Sequence, residues 1–103
     1  MIKIVKLITG EELIGNVDRN SDFVIINKPC ILQIVPSRNN PEQPMMALIP
    51  YASYCEKHRV TISLDKVIWE ESPVQELYNQ YNSIFGSGLV VPNSSNVVDF
   101  KKI

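Results

Sequence analysis

The chain has one histidine and two cysteines among 103 residues, and this scarcity removes metal and nucleophile chemistry first. Cys30, Cys55 and His58 fall short of the four ligands a structural zinc takes. Two cysteines are also too few for a disulfide framework, so they read as small buried hydrophobes. A nucleophile at Cys55 or at a serine needs a base, and His58 is the only imidazole, with no third group to orient it. No G-x-x-x-x-G-K-[ST], G-x-G-x-x-G or G-x-S-x-G string is present. The paired acids Glu11-Glu12 and Glu70-Glu71 sit at a turn and at a helix entrance, where acids are ordinary. The expectation is a protein that is not an enzyme, with no metal, no cofactor and no small-molecule substrate.

Long hydrophobic runs are missing too. Nothing approaches the ~20 apolar residues of a spanning helix, and MIKIVKLITGEE lacks the apolar core and cleavage site of a signal peptide. A cytoplasmic protein without a membrane partner is expected. Nor is there an excess of positive charge: 10 Lys and Arg face 11 Asp and Glu, for a net charge of -1. Coating a duplex relies on many phosphate-neutralising cations, so that class is disfavoured, although a local basic patch is not.

What remains is an ordinary globular composition, 45% hydrophobic and 20% charged, at a length that fits one domain with one modest core. Up to Trp69 the pattern is that of strands. Met1–Thr9 is rich in Ile, Val and Leu and ends at the turn signal Gly10-Glu11. In Glu12–Asp18, Leu13, Gly15 and Val17 alternate with Glu12, Ile14, Asn16 and Asp18, the period of a half-buried strand. Arg19-Asn20-Ser21-Asp22 is a turn cluster. Phe23–Val35 is a long strand, bent or bulged at Lys28-Pro29 because proline donates no ladder hydrogen bond.

A polar hairpin loop spans Pro36 to Pro44, followed by an apolar strand from Met45 to Cys55 with a bend at Pro50. Glu56–Arg59 is a charged connector. The last strand, Val60 to Trp69, slips parity at Asp65-Lys66, which reads as a β-bulge. After Glu71 the period changes. Ser72 suits an N-cap and Pro73 the first helical position, and Val74, Leu77, Tyr78, Tyr81, Ile84 and Phe85 form one helical stripe. A tail follows, with one short strand at Val97–Phe100. The division is therefore a five-stranded barrel over 1–71, a helix packed on it or on a neighbour over 72–86, and a tail over 87–103. An open barrel has two edges, and pairing of unlike edges between copies closes into a ring where the rotation permits.

The string KLITGEELIGNV, with Leu7-x-x-Gly10-x-x-Leu13-x-Gly15, resembles the first signature of the Sm and Sm-like RNA-binding family. There a strand ends in a Leu-x-x-Gly turn and the next bends sharply at a glycine. Tyr54-Cys55-Glu56-Lys57-His58-Arg59-Val60 resembles the Lys-His junction that bacterial Sm-like RNA chaperones carry before their last strand. The resemblance is to the short, divergent members encoded by bacteria and tailed phages. It implies a small, strongly bent five-stranded Sm-like (SH3-like) barrel with a C-terminal α-helix, in a homo-oligomeric ring. It also implies a pore that binds single-stranded nucleic acid, RNA before DNA. Two departures stand out: the family's helix precedes the barrel, and the Arg-Gly signature is absent.

The residues expected at such a site are Lys57, His58 and Arg59 for phosphates, Tyr54 and Tyr51 for base stacking, and Arg38 on the loop. Phe23 is a second choice for stacking. The competing reading is a structural or scaffold ring, as in phage assembly, with no nucleic-acid role.

Overall fold

The computed structural model describes residues 1–37, 39, 42–85 and, for the backbone, 97–99. Among the described residues, seven strands form one antiparallel sheet: β1 (Ile2–Leu7), β2 (Glu12–Arg19), β3 (Phe23–Pro36), β4 (Pro44–Pro50), β5 (Arg59–Ser63), β6 (Val67–Glu71) and β7 (Val97–Asp99). Their order is β6-β1-β2-β3-β4-β7, and β5 lies on β3 beside that path. One helix, α1 (Gln75–Phe85), follows β6.

The two glycines of the first hairpin have different physical reasons to be there. Gly10 closes the β1–β2 turn, its N–H donating to the Leu7 carbonyl at 2.9 Å, with φ at +105°. L-residues pay about 1–2 kcal/mol for a left-handed backbone. Gly15 lies in β2 where β3 presses closest. A Cβ there would stand 2.5 Å from Ile26 Cγ2 and 2.9 Å from the Asn27 carbonyl oxygen.

That approach marks the bend in β3. Ile14 pairs with Cys30 and Asn16 with Asn27, so Gly15 of β2 stands opposite two residues of β3. The surplus falls at Lys28-Pro29, the site expected from the proline. Lys28 has φ 51°, a left-handed residue directly before a proline, where extended backbone is favoured. The Tyr81 hydroxyl holds it, donating to the Lys28 carbonyl at 2.7 Å and lying 3.2 Å from that of Asn27.

The bulge also switches which side chains face which core. Before it, Val24 and Ile26 join Val5, Leu7, Leu13 and Val17 in one buried cluster, with Val60, Ile62 and Val67 packed against it. After it, Cys30 joins Ile14, Met46 and Leu48 on the other face, under Leu77, Tyr81 and Ile84 of α1. The alternation read in β2 holds, and Ile14, on its otherwise polar side, is buried because α1 covers it. Cys30 is buried, which pushes its thiol up to about 12, and Cys55 is half-buried.

Three boundaries differ from the sequence expectation. The fourth strand ends at Pro50, not Cys55, because Tyr51 turns off the ladder to donate its N–H to Pro29, and Ala52 takes φ 55°. The stretch Val60–Trp69 is two strands, not one bulged strand. A 3-10 turn at Leu64–Lys66 sends β5 onto β3 and β6 onto β1. Helical bonding begins later than a Ser72 cap implies, with Tyr78 N–H donating to Val74, while the Ser72 hydroxyl accepts from the Lys3 ammonium.

On the helix, Leu77, Tyr81 and Ile84 are buried, whereas Val74 and Tyr78 at its start stay exposed. The tail strand expected at Val97–Phe100 is present as β7, Val97–Asp99, laid antiparallel on Met45–Ala47 of β4. Phe100 lies outside the described residues. The path β5-β3-β2-β1-β6 is a bent sheet whose two ends are joined by the Leu64–Lys66 turn without pairing to each other. No helix among the described residues is long and apolar enough to cross a membrane.

Candidate nucleic-acid interface

β4 and β5 run along the same edge of β3, one on each side of the Lys28-Pro29 bulge. The connector between them, residues 51–58, carries most of the expected site. It is compact because it bonds to itself: Cys55 N–H donates to Ala52 at 3.0 Å, and His58 N–H to Cys55 at 2.9 Å. Lys57 and His58 adopt φ values of 62° and 47°. Three non-glycine residues in left-handed conformation within seven positions is unusual backbone, and it presents side chains outward from a tight turn.

His58 is committed to the fold. Its Nε2 lies 3.0 Å from the Tyr51 carbonyl, an acceptor only, so Nε2 carries the proton and donates. In the neutral ring Nδ1 is then an acceptor, and donation to a phosphate requires the imidazolium. The ring also meets Phe85 edge-on, with centroids 6.0 Å apart. Phe85 in turn packs 5.0 Å from Tyr81 and has the Lys28 ammonium 5.9 Å over its ring. The end of α1 thus ties the connector to the β3 bulge.

Lys57 and Arg59 are exposed and form no ion pair among the described residues. Arg59 opens β5 opposite Asn27, next to Lys28. Tyr54, at the tip of the connector, is 91% exposed. Tyr54 and Lys57 lie on the one connector and Arg59 at its exit into β5, all three exposed. Lys57-His58 leads into β5, which pairs with β3, and not into the strand that closes on β1. That strand is β6, entered through Leu64–Lys66.

Tyr51 differs from Tyr54. It is half-buried, and burial, then the nearby Glu11 charge, raise its phenol above the ordinary value. It lines an apolar groove of about 430 Å³ together with Leu7, Ile8, Val60, Ile62 and Lys66. This groove lies between β5, the end of β1 with the turn that follows it, and the Leu64–Lys66 turn. Phe23 is 44% exposed, but it sits at the β2–β3 turn, opposite Ser63 at the end of β5 away from the connector. That turn is capped by Asn20, whose side-chain oxygen accepts from the Asp22 and Phe23 N–H groups, each at 2.8 Å. Arg38 lies outside the described residues.

Sequence reasoning missed the other side of Phe85. There Ile2, Asn16, Asn27, Lys28, Tyr81 and Asn82 line a half-open cavity of about 190 Å³. The Lys28-Pro29 bulge was its one sequence signal. The meeting of β2, β3 and α1 that forms the cavity depends on register. No group of three or more His, Cys, Asp or Glu among the described residues is placed to hold a metal. No protein-family model and no curated protein matches the chain.

Proposed function

We propose that this chain binds single-stranded nucleic acid, RNA before DNA, without catalysis, as a homo-oligomeric ring of small Sm-like barrels in the cytoplasm. The observation that carries this reading is the connector. Lys57 and Arg59 form no ion pair among the described residues and share the connector and its exit with the exposed Tyr54, on a turn braced by His58 and Phe85. Phosphate contacts from cations position a strand, and base stacking on an aromatic ring is worth about 1–3 kcal/mol without requiring a sequence.

The barrel reading draws support from the bent path β5-β3-β2-β1-β6, whose ends meet at a short 3-10 turn. The ring draws support from its edges. β5 pairs only with β3, and β6 only with β1, among the described residues. On β6, Ile68 is 58% and Trp69 37% exposed. A β6 edge laid on the β5 edge of a neighbour is a head-to-tail contact, which would repeat the connector around one axis. A ring multiplies each cation, which is how a chain of net charge -1 gathers a positive opening.

The alternative is a scaffold ring with no nucleic-acid role, favoured by the exposed apolar side chains Ile68, Trp69, Val74 and Tyr78. Titrating labelled single-stranded RNA at several salt concentrations separates the two. Micromolar or tighter binding that weakens with salt, with a shallower salt slope in the Lys57→Ala/Arg59→Ala protein, supports the first reading. No binding at low salt leaves the scaffold. Light scattering tests assembly directly, and a monomer of 11.7 kDa removes the ring.

A further inference from the structure

We infer that the cavity beneath the end of α1 is a base pocket, taking one unstacked nucleobase of a bound strand with its phosphate at Lys28. It rests on the single-strand reading above and adds a second, more selective contact to it. The cavity of about 190 Å³ is many times the ~10–15 Å³ that a single water requires, which leaves room for a small planar ring. Its walls include the Tyr81 and Phe85 rings, and its polar groups are carboxamides from three different elements, Asn16 on β2, Asn27 on β3 and Asn82 on α1.

The hydrogen-bond inventory of these amides points to a base. Asn16 Oδ1 accepts from the Met1 amine at 2.7 Å, leaving its Nδ2 as a donor. Asn27 Nδ2 faces the Asn16 carbonyl at 3.3 Å and Asp18 at 3.5 Å, leaving its Oδ1 as an acceptor. Asn82 has no hydrogen-bond partner among the described residues and contributes both. Mixed donors and acceptors at fixed positions suit the edge of a nucleobase, which single-strand binders read in this way. A site for a bare anion would present donors alone.

Lys28 supplies the charge. Its ammonium forms no ion pair among the described residues and hangs beside Phe85. The left-handed backbone before Pro29 is a costly conformation, held by Tyr81, and such strain collects at ligand clamps. Asn27 is the ladder partner of Arg59, so a strand whose phosphates cross Lys57 and Arg59 passes the mouth of the cavity.

The test titrates uridine and adenosine 5′-monophosphate into the full chain, following side-chain amide resonances by NMR, with ribose 5-phosphate as the control. A single-stranded RNA titration runs in parallel on the wild type, Asn82→Ala and Lys28→Gly. Glycine at 28 keeps the backbone angle and removes the ammonium.

The expected result is saturable shifts at Asn16 and Asn82 with the nucleotides but not with ribose 5-phosphate. RNA affinity should fall about tenfold in Asn82→Ala with an unchanged salt slope, and the slope should drop by about one in Lys28→Gly. RNA binding that neither variant weakens, with no nucleotide shifts in the cavity, overturns the pocket and leaves the strand reading standing. Shifts with nucleotides but no RNA binding keep the pocket and remove the strand reading. Equal shifts with ribose 5-phosphate reduce it to an anion site and overturn the base assignment, and no binding of any probe overturns both.

Discussion

Replacing Gly15 with alanine tests the bend of the sheet at its tightest point. The added carbon would stand 2.5 Å from Ile26 Cγ2, 2.9 Å from the Asn27 oxygen and 3.4 Å from Pro29 Cα. Carbon atoms rest about 3.5–4.0 Å apart, so the first contact overlaps by more than 1 Å. Turning Ile26 relieves only that contact, because the other two atoms are backbone. Moving them disturbs the bulge that Tyr81 holds. Forced repacking of this kind costs about 3 kcal/mol at the upper end of its usual range. The lost chain entropy of glycine returns about 0.4–1 kcal/mol.

The net expectation is about 2 kcal/mol of destabilisation, a fall of about 8–16 °C in Tm for a domain of this size. Gly10→Ala is the internal control. No atom lies within 4 Å of a carbon added there, so only the φ of +105° resists it, at a net cost of about 1 kcal/mol. Urea unfolding followed by circular dichroism, at one protein concentration because assembly would shift it, measures both. A Gly15→Ala midpoint equal to wild type, or a smaller loss than that of Gly10→Ala, would refute the close-approach account.

Tyr81→Phe removes the hydroxyl that serves the Lys28 and Asn27 carbonyls, and a buried lost hydrogen bond costs about 1–3 kcal/mol. Thermal unfolding should show a lower Tm with the ring packing on Phe85 retained; an unchanged Tm removes the clamp from the account of the bulge. Stability should also decline with alkali. Burial raises the Cys30 thiol from 9.0 to about 12 and raises the Tyr81 phenol, with Cys30 beside it adding to the effect. The unfolded chain therefore loses these protons first, and stability falls as pH rises from about 9 through 12. Urea midpoints that stay level from pH 8 to 11 would contradict this, and Cys30→Ala should flatten the thiol's share. At pH 8 the half-buried Cys55 should react with a thiol reagent ahead of Cys30, whose modification should wait for unfolding.

Much of the fold was legible because two periods run through it. Leu13, Gly15 and Val17 share a face as their spacing requires, and the Leu77-Tyr81-Ile84 stripe is buried. The bulge followed from Lys28-Pro29 because a proline in a paired strand has few other places to go. The 3-10 turn at Leu64–Lys66 was not separable from a bulge, since both slip the parity of a strand by one residue and only the choice of partner strand tells them apart. At the site, the exposure of Lys57 and Arg59 was readable from a charged connector, whereas that of Tyr54 depends on the strand ending at Pro50. The tie between His58 and the Tyr51 carbonyl was not, because it depends on a left-handed turn built from ordinary residues. Nor were Asn16, Asn27 and Asn82, which the register of β2 on β3 and the docking of α1 bring together.

The tail strand β7 covers an edge of the sheet. By lying on Met45–Ala47 it pairs the side of β4 that β3 leaves open. The end of the sheet thereby passes from the seven residues of β4 to the three of β7, and a very short edge strand is a poor template for another chain. A chain shortened ahead of Val97 should expose the backbone of Met45–Ala47 and aggregate more readily, which light scattering at rising protein concentration would read.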